Sequence, residues 1–189
     1  MLLNYKLIGE GPPLIILHGL FGSLDNWMTI GRQLAKNYAV FLVDQRNHGQ
    51  SFHDDNFSYP EMAKDLRNLI EHRNLQNCAL LGHSMGGKTA MFYTAEFDKW
   101  VSKLIVVDIA PRFYPVHHRA ILDGLKSVDL QRIDSRSAAD AQLKEYVEEG
   151  PVRQFLLKNL KRTQNGGFEW KINLPVIDQQ IENVGDALP

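Results

Sequence analysis

Residues Ala79 to Met91 read ALLGHSMGGKTAM, an apolar run that breaks into glycines and other small residues. The apolar part predicts a buried β-strand, and the sequence from about Met85 to Phe97 predicts a helix. Gly82 to Gly86 fits G-x-S-x-G, the tight strand-to-helix turn that exposes a nucleophilic serine. Gly82 to Thr89 also fits G-x-x-x-x-G-K-[ST], the loop that holds phosphate groups. The stretch therefore allows two functions, and the rest of the chain must decide between them.

Buried strands alternate with helices through the first 111 residues. Continuous apolar runs at residues 14–17, 39–43 and 78–81 are typical of strands covered on both faces of a parallel sheet, and residues 101–107 predict another strand. A looser run at residues 2–8 predicts an edge strand. This order predicts an α/β fold with a mostly parallel sheet, helices on both faces and a ligand site at the carboxyl ends of the strands.

After Pro111 the pattern changes, because no further run of buried strand residues follows. Helices are predicted around residues 121–125, 138–147 and 152–160. A turn, a short extended piece at residues 168–173 and a weak last helix complete the sequence. We therefore predict an N-terminal core at residues 1–111 and a helical cap at residues 112–189 that covers the strand ends.

Composition excludes some classes of partner. The chain has 189 residues and a formal net charge of -1, which gives no electrostatic reason to bind nucleic acid. It shows no signal peptide, and no apolar run approaches the roughly 18 residues of a membrane span. The single cysteine, Cys78, is predicted to be buried. One cysteine cannot form a disulfide within the chain, which fits a reducing compartment. We expect a cytoplasmic protein, whose oligomeric state the sequence does not determine.

An earlier loop favours the serine interpretation. His18 and Gly19 follow a buried strand and open a glycine-containing loop. Acyl transfer needs two backbone N–H groups that stabilise the developing oxyanion, one after the nucleophile and one from a strand-to-helix loop. Met85 and Leu20 are the predicted donors, with Phe21 as the alternative to Leu20.

The phosphate-loop interpretation has some support of its own. Leu104 to Asp108 resembles a strand whose aspartate holds Mg²⁺ in nucleotide-binding proteins. Two buried strands nevertheless precede the glycine motif, whereas a phosphate loop normally follows the first strand. This interpretation also leaves the loop at residues 44–51 unexplained. If it is wrong, Lys88 is predicted to lie on the helix surface.

Four motifs in order resemble the alpha/beta-hydrolase family. They are Pro12 to Trp27, Val43 to Ser51, Gly82 to Gly87 and Val107 to Pro111. Within that family, the likeness is greatest to bacterial esterases and their mitochondrial relatives. It covers essentially the whole chain, and most strongly the first 111 residues.

The resemblance implies a Ser-acid-His triad that hydrolyses carboxylic esters or thioesters, including short acyl-CoA esters. Ser84 would form an acyl-enzyme, and Asp108 would be the acid unless it only caps backbone groups. The loop with Asp44 and Arg46 would be structural, as would His48 and Ser51. The residues expected along the substrate are His18, Gly19, Phe21 and His83. No cofactor or metal is implied. A third hypothesis is a binding module that keeps the pocket without the chemistry.

The histidine of the triad is where the chain departs from the family. The order Ser, acid, His places this base beyond Asp108. Only His117 and His118 follow Asp108, and both start the predicted cap, where we expect them to face solvent or substrate. Two further strand–helix units, roughly 60 residues, would normally carry the base. The resemblance thus implies a chain that lacks its C-terminal part, and we expect it to be weakly active or inactive alone.

Overall fold

The computed structural model describes residues 1–116 and 118–188, so His117 lies outside the described residues. The strands are β1 (Tyr5–Ile8), β2 (Pro13–Leu17), β3 (Ala39–Val43), β4 (Cys78–His83), β5 (Val101–Val107), β6 (Leu160–Arg162) and β7 (Phe168–Trp170). The α-helices are α1 (Met28–Leu34), α2 (Tyr59–His72), α3 (Met85–Glu96), α4 (Arg119–Ser127), α5 (Arg136–Leu143), α6 (Gly150–Leu157), α7 (Leu174–Gln179) and α8 (Glu182–Gly185). Short 3-10 turns lie at Leu24–Trp27 and Asp98–Trp100.

The larger sheet has the strand order β1-β3-β2-β4-β5. All its pairs are parallel except β1 with β3, which are antiparallel. The predicted mostly parallel sheet and edge strand are confirmed. The carboxyl ends of β2, β3, β4 and β5 therefore lie along one edge of the sheet, where their following loops meet.

Helices cover both faces of the sheet, because side chains alternate between the faces along each strand. Ile15 of β2 and Leu80 of β4 pack in one cluster with buried residues of α2 and α3. Ile16 of β2 and Leu42 of β3 pack in the opposite cluster, against α1. Cys78 is buried in the first cluster, as predicted.

The β5 strand is less covered than the sequence pattern predicts. Leu104 is 37% exposed and Ile105 is 43% exposed, although both belong to an apolar run. Among the described residues, β5 pairs only with β4, so one of its edges and part of its surface face solvent. An apolar run alone does not show whether a strand has one neighbour or two.

The region after Pro111 contains five helices and a small two-stranded sheet among its described residues. The prediction of a helix over residues 152–160 is wrong at its end, because α6 stops at Leu157 and Leu160 begins β6. Leu160 pairs with Trp170 of β7, a contact that helical spacing cannot reveal. The predicted helix at residues 138–147 also starts earlier, since Ser135 caps α5 by accepting a hydrogen bond from the Ala138 N–H.

The cap packs directly on the strand ends. Leu122 of α4, Leu156 of α6 and Ile177 of α7 belong to one apolar cluster. Leu20 and Met85, which follow β2 and β4, are buried in the same cluster. The predicted division at residue 111 thus separates two regions that share a hydrophobic core above the sheet.

Candidate active site

A sharp turn between β4 and α3 places Ser84 at the edge of the sheet. Ser84 has φ 51° and ψ -119°, a strained backbone for a residue with a side chain. Its N–H donates to the carbonyl oxygen of Val107 at 3.0 Å, and its carbonyl oxygen accepts from the N–H of Lys88 at 3.1 Å. Ser84 is partly exposed, so its hydroxyl is available to a substrate at the strand ends.

The glycines of the motif allow this turn to be tight. A Cβ atom on Gly86 would lie 2.5 Å from the carbonyl oxygen of Leu17, and one on Gly82 would lie 2.2 Å from the carbonyl oxygen of Gly86. These distances are too short for any side chain. The sequence G-x-S-x-G is therefore required by the close approach of α3 to β2 and β4.

The loop after β2, residues 18–22, runs beside Ser84. A Cβ atom on Gly19 would lie 3.3 Å from the Cβ atom of Ser84. The N–H of Phe21 donates to Nε2 of His48 at 3.2 Å, so it is not available to an oxyanion. No hydrogen bond from the Leu20 N–H to another described residue is found. Leu20 thus remains the candidate donor from this loop, and Met85, the first residue of α3, remains the other.

Two buried histidines hold the 18–22 loop in place. Nδ1 of His18 lies 2.8 Å from the carbonyl oxygen of Gly19, and Nδ1 of His48 lies 2.9 Å from that of Arg46. Because a carbonyl oxygen only accepts, both Nδ1 atoms carry the hydrogen. Each Nε2 then accepts a backbone N–H, from Gln45 at 3.0 Å for His18 and from Phe21 for His48. Both rings are therefore neutral connectors, each of which joins two backbone groups through its two nitrogen atoms.

Burial keeps these two rings neutral. It lowers the pKa of His18 to about 4, although the hydrogen bond to Gly19 opposes the shift and the nearby His83 adds to it. Burial also lowers the pKa of His48 to about 3, with a further contribution from His18. The ring centroids of His18 and His48 are 5.1 Å apart, so a charge on either would disfavour a charge on the other.

Acid is expected to destabilise the protein through His18 and His48. Unfolded histidines take up a proton below about pH 6.5, whereas the folded ones resist it until well below that value, so stability falls with pH in this window. The loss between about pH 7 and about pH 5 is expected to be about 2 kcal/mol for each histidine. Urea unfolding of wild type and of His48→Gln at both pH values measures it.

The His48→Gln variant should lose less stability on acidification than wild type, because residue 48 no longer takes up a proton in the unfolded chain. His72→Gln, which removes an exposed histidine of α2, is the matched control. Equal pH dependence in wild type and His48→Gln would contradict the assignment of His48 as a neutral buried ring.

The loop after β3 fixes the same region from the other side. One carboxylate oxygen of Asp44 accepts from the N–H of Leu24 at 2.7 Å, and the other accepts from the N–H of Gln50 at 2.9 Å and from Asn4. Ser51 donates to the carbonyl oxygen of Asp44. Asp44 and Ser51 thus make structural contacts within the protein, as the resemblance implies.

Two cavities meet at Ser84. The larger has a volume of about 490 Å³. Its lining residues are His18, Gly19, Leu20, Gly22, Asn26, Trp27, Ile30, His83, Ser84, His118 and Phe155. The smaller has a volume of about 210 Å³. Its lining residues are Tyr59, Ser84, Met85, Asp108, Ile109, Tyr114, Pro115, Val116, His118, Val184 and Gly185.

Of the residues predicted along the substrate, three line the larger cavity with Ser84: His18, Gly19 and His83. Phe21 is instead 3% exposed and packs in the shared apolar cluster between core and cap. Asp108 is an exposed residue that lines the smaller cavity, with a left-handed φ of 56°. His118 lines both cavities, and its ring packs edge-on against Phe21 with centroids 6.1 Å apart.

This arrangement has counterparts among known proteins. A family model described as the alpha/beta hydrolase fold matches residues 12–162. The chain belongs to the alpha/beta hydrolase fold family. The resemblance read from the four sequence motifs is thereby confirmed, and the turn at Ser84 and the 18–22 loop lie inside the matched part of the chain.

Relatives of this chain carry esterase and lipase names. The sn-1-specific diacylglycerol lipase ABHD11 of Xenopus laevis is 41% identical over 184 residues, which are 93% of this chain and 59% of the lipase. Esterase YbfF of Escherichia coli (strain K12) is 37% identical over 173 residues, which are 91% of this chain and 66% of the esterase. The chain therefore spans less than two thirds of the length of these two relatives.

A solved structure gives the same result for the fold. The structure named "Marine microorganism esterase" is 44% identical to this chain and superposes with a TM-score of 0.97. It covers all of this chain, which in turn covers 75% of that protein. The cap and its small two-stranded sheet are thus part of the shared architecture.

The prediction that Lys88 lies on the helix surface is wrong. Lys88 is fully buried, and its Nζ donates to the carbonyl oxygens of Gly185 and Asp186 at the end of α8. The ammonium also lies 5.2 Å from the ring centroid of Tyr114. Burial lowers the pKa of Lys88, which the nearby Asp186 partly opposes. The cap folds back over α3, and a sequence pattern cannot show this.

The structure gives the phosphate-loop interpretation no support. The Gly82 to Thr89 segment does not form an open loop, since α3 begins at Met85, directly after Ser84. The Lys88 ammonium already donates to the carbonyl oxygens of Gly185 and Asp186, so it is not free to bind a phosphate group. Among the described residues, no cluster of three His, Cys, Asp or Glu side chains is placed to hold a metal ion. None of the helices in that part of the chain is both long and apolar enough to cross a membrane.

Proposed function

We propose that this protein hydrolyses carboxylic esters through an acyl-enzyme on Ser84. The observation that carries the proposal is the position of Ser84, on a strained turn at the junction of two cavities and beside the 18–22 loop. The carbonyl carbon of the ester would be attacked by Oγ, and its oxygen would be stabilised by the N–H groups of Leu20 and Met85.

The acid and the base have different support. Asp108 lines the same small cavity as Ser84 and follows the neighbouring strand, as the proposed acid should. His118 lines both cavities, and we assign it to the substrate wall because it stands at the start of α4 in the cap. No base is assigned to Ser84 among the described residues, and without one a serine hydroxyl stays protonated at neutral pH and is a poor nucleophile. We therefore expect slow turnover from this chain.

The cavities favour a neutral substrate. The larger one includes the apolar side chains of Leu20, Trp27 and Phe155, and its volume falls in the range of small-molecule sites. No lysine or arginine lines either cavity among the described residues. The phosphate groups of an acyl-CoA would find no cationic partner there. Uncharged esters, the class to which the diacylglycerol substrate in the ABHD11 name belongs, are the proposed substrates, ahead of thioesters.

The proposal is tested by the choice of substrate. Hydrolysis of p-nitrophenyl acetate and p-nitrophenyl butyrate is measured by the release of nitrophenol, and hydrolysis of butyryl-CoA by the release of free thiol. We expect kcat/KM to be at least about tenfold higher for the neutral esters, because the CoA phosphates gain no ion pair. A preference for butyryl-CoA would overturn the assignment to neutral esters.

Two alternatives are tested in parallel. A fluorophosphonate that labels Ser84, located by mass spectrometry, would argue against a binding module without chemistry. Calorimetry with Mg²⁺-ATP tests nucleotide binding, and micromolar binding that Lys88→Ala abolishes would argue against the esterase. We expect slow labelling of Ser84, at a rate that matches its slow ester turnover, and no heat of ATP binding.

A further inference from the structure

Asn159 connects the cap to the loop that carries the proposed oxyanion donor. It lies between α6 and β6 and is 3% exposed. Its backbone carbonyl oxygen accepts from the N–H of Lys171 at 2.7 Å, within the cap. Its side-chain Nδ2 donates to the carbonyl oxygen of Phe21 at 2.7 Å and to that of Leu156 at 3.2 Å. Because both partners only accept, the amide must present its NH₂ group to them.

Phe21 needs such a partner. It has φ 60°, the left-handed region that a residue with a side chain adopts at an energetic cost. Its N–H is held by His48 of the core, and its carbonyl oxygen is held by Asn159 of the cap. The peptide groups on both sides of Phe21 are therefore fixed, one by each region.

Fixing Phe21 also fixes Leu20, whose N–H is the proposed donor to the oxyanion. A rotation of the Phe21 backbone would move the preceding peptide groups relative to Ser84. The 18–22 loop lies close to the β4–α3 turn, since a Cβ atom on Gly19 would lie 2.9 Å from Nδ1 of His83 and 3.3 Å from the Cβ atom of Ser84. A small displacement of this loop changes the distance and angle between the Leu20 N–H and the reacting carbonyl.

We propose that Asn159 is a positioning residue that holds the 18–22 loop in the geometry for oxyanion stabilisation and so makes this geometry depend on the seating of the cap. The inference rests on the proposed esterase function, in which the Leu20 N–H stabilises the oxyanion. Asn159 is not one of the residues that line either cavity, so its effect on catalysis passes through Phe21.

The test compares two asparagines that make the same kind of contact. Asn159→Asp places a carboxylate oxygen against the carbonyl groups of Phe21 and Leu156, which repel it. Asn183→Asp is the matched control, because the side chain of Asn183 donates to the carbonyl oxygen of Phe57 at 2.9 Å and makes no hydrogen bond to the 18–22 loop. Both variants are assayed for kcat and KM with p-nitrophenyl butyrate.

The same variants are examined by hydrogen exchange of backbone amides, which needs no turnover. For Asn159→Asp we expect kcat to fall about tenfold to a hundredfold, with KM within about threefold of wild type, since the loss acts on the transition state. The N–H of Phe21 should exchange at least about tenfold faster. Asn183→Asp should leave both the kcat and the Phe21 exchange rate unchanged.

The outcomes separate the inference from the proposed function. Unchanged kcat and unchanged Phe21 exchange in a folded Asn159→Asp protein would overturn the inference. A wild-type protein that hydrolyses no ester, with or without added imidazole, would overturn the proposed function, while the exchange of Phe21 would still test the hydrogen bond. If circular dichroism shows that Asn159→Asp does not fold, Asn159→Ala, which adds no charge, undergoes the same two measurements and the same criteria decide.

Discussion

Ser84→Ala is expected to abolish ester hydrolysis by this chain, including any part that added imidazole accelerates. Positioned proton transfer accelerates such reactions by about 10²-fold to 10⁴-fold, and because no base is assigned to Ser84 among the described residues, an external base should raise the rate. The larger cavity next to Ser84 has space for imidazole. We expect imidazole to raise the p-nitrophenyl acetate rate of wild type by about tenfold or more and to give no enzyme-dependent increase in Ser84→Ala.

The Ser84→Ala protein also corrects for the direct reaction of imidazole with the ester, because both variants meet the same solution. His118→Ala is measured beside it to test the assignment of His118 to the substrate wall. If imidazole has no effect on wild type and His118→Ala loses as much activity as Ser84→Ala, His118 is the base. That result would contradict our assignment of His118 to the substrate wall.

Arg46→Met is expected to lower the free energy of unfolding by about 3–5 kcal/mol, because it leaves a buried carboxylate without its partner. Arg46 is 4% exposed and Asp65 is 5% exposed. The guanidinium holds Asp65 through two hydrogen bonds, from Nε at 2.5 Å and from Nη2 at 2.9 Å. Burial raises the pKa of Asp65, although the charge and hydrogen bonds of Arg46 oppose this shift. Urea unfolding at neutral pH measures the change.

Two further variants show whether the loss comes from the unpaired charge. In Arg46→Met/Asp65→Leu both charges are absent, and most of the stability should return. Arg67→Met is the matched control: its partner Glu71 is 44% exposed, and the loss of this surface pair should cost less than about 1 kcal/mol. A double variant as unstable as Arg46→Met would show that the packing of Arg46, and not its charge, stabilises the protein.

These expectations differ in how far the sequence supports them. The position of Ser84 on a tight strand-to-helix turn could be predicted from its motif. Only glycine fits where the backbone segments of such a turn come into contact, as they do at Gly82 and Gly86. The proximity of the His18-Gly19 loop to Ser84 could be predicted in the same way, because Gly19 allows a close approach of the backbone. The roles of Asp44 and Arg46 followed from the family resemblance, and the structure shows the hydrogen bonds that support them.

Other features left no signal in the sequence. Lys88 stands in a pattern typical of phosphate binding or of a helix surface, but α8 folds over it and supplies two carbonyl groups. Asn159 follows a helix and pairs with Phe21, which is 138 residues away in the chain. Neither contact has a spacing or a periodicity that could predict it.

The sequence by itself determined the alternation of strands and helices, the tight strand-to-helix turn at Ser84 and the membership of the alpha/beta hydrolase fold family. It could do so because periodic burial and tight turns are local properties of neighbouring residues. Only the tertiary structure decided that Lys88 is buried, that His18 and His48 are neutral connectors and that Asn159 reaches the 18–22 loop. These are contacts between distant segments, and their geometry exists only once the cap has packed on the strand ends.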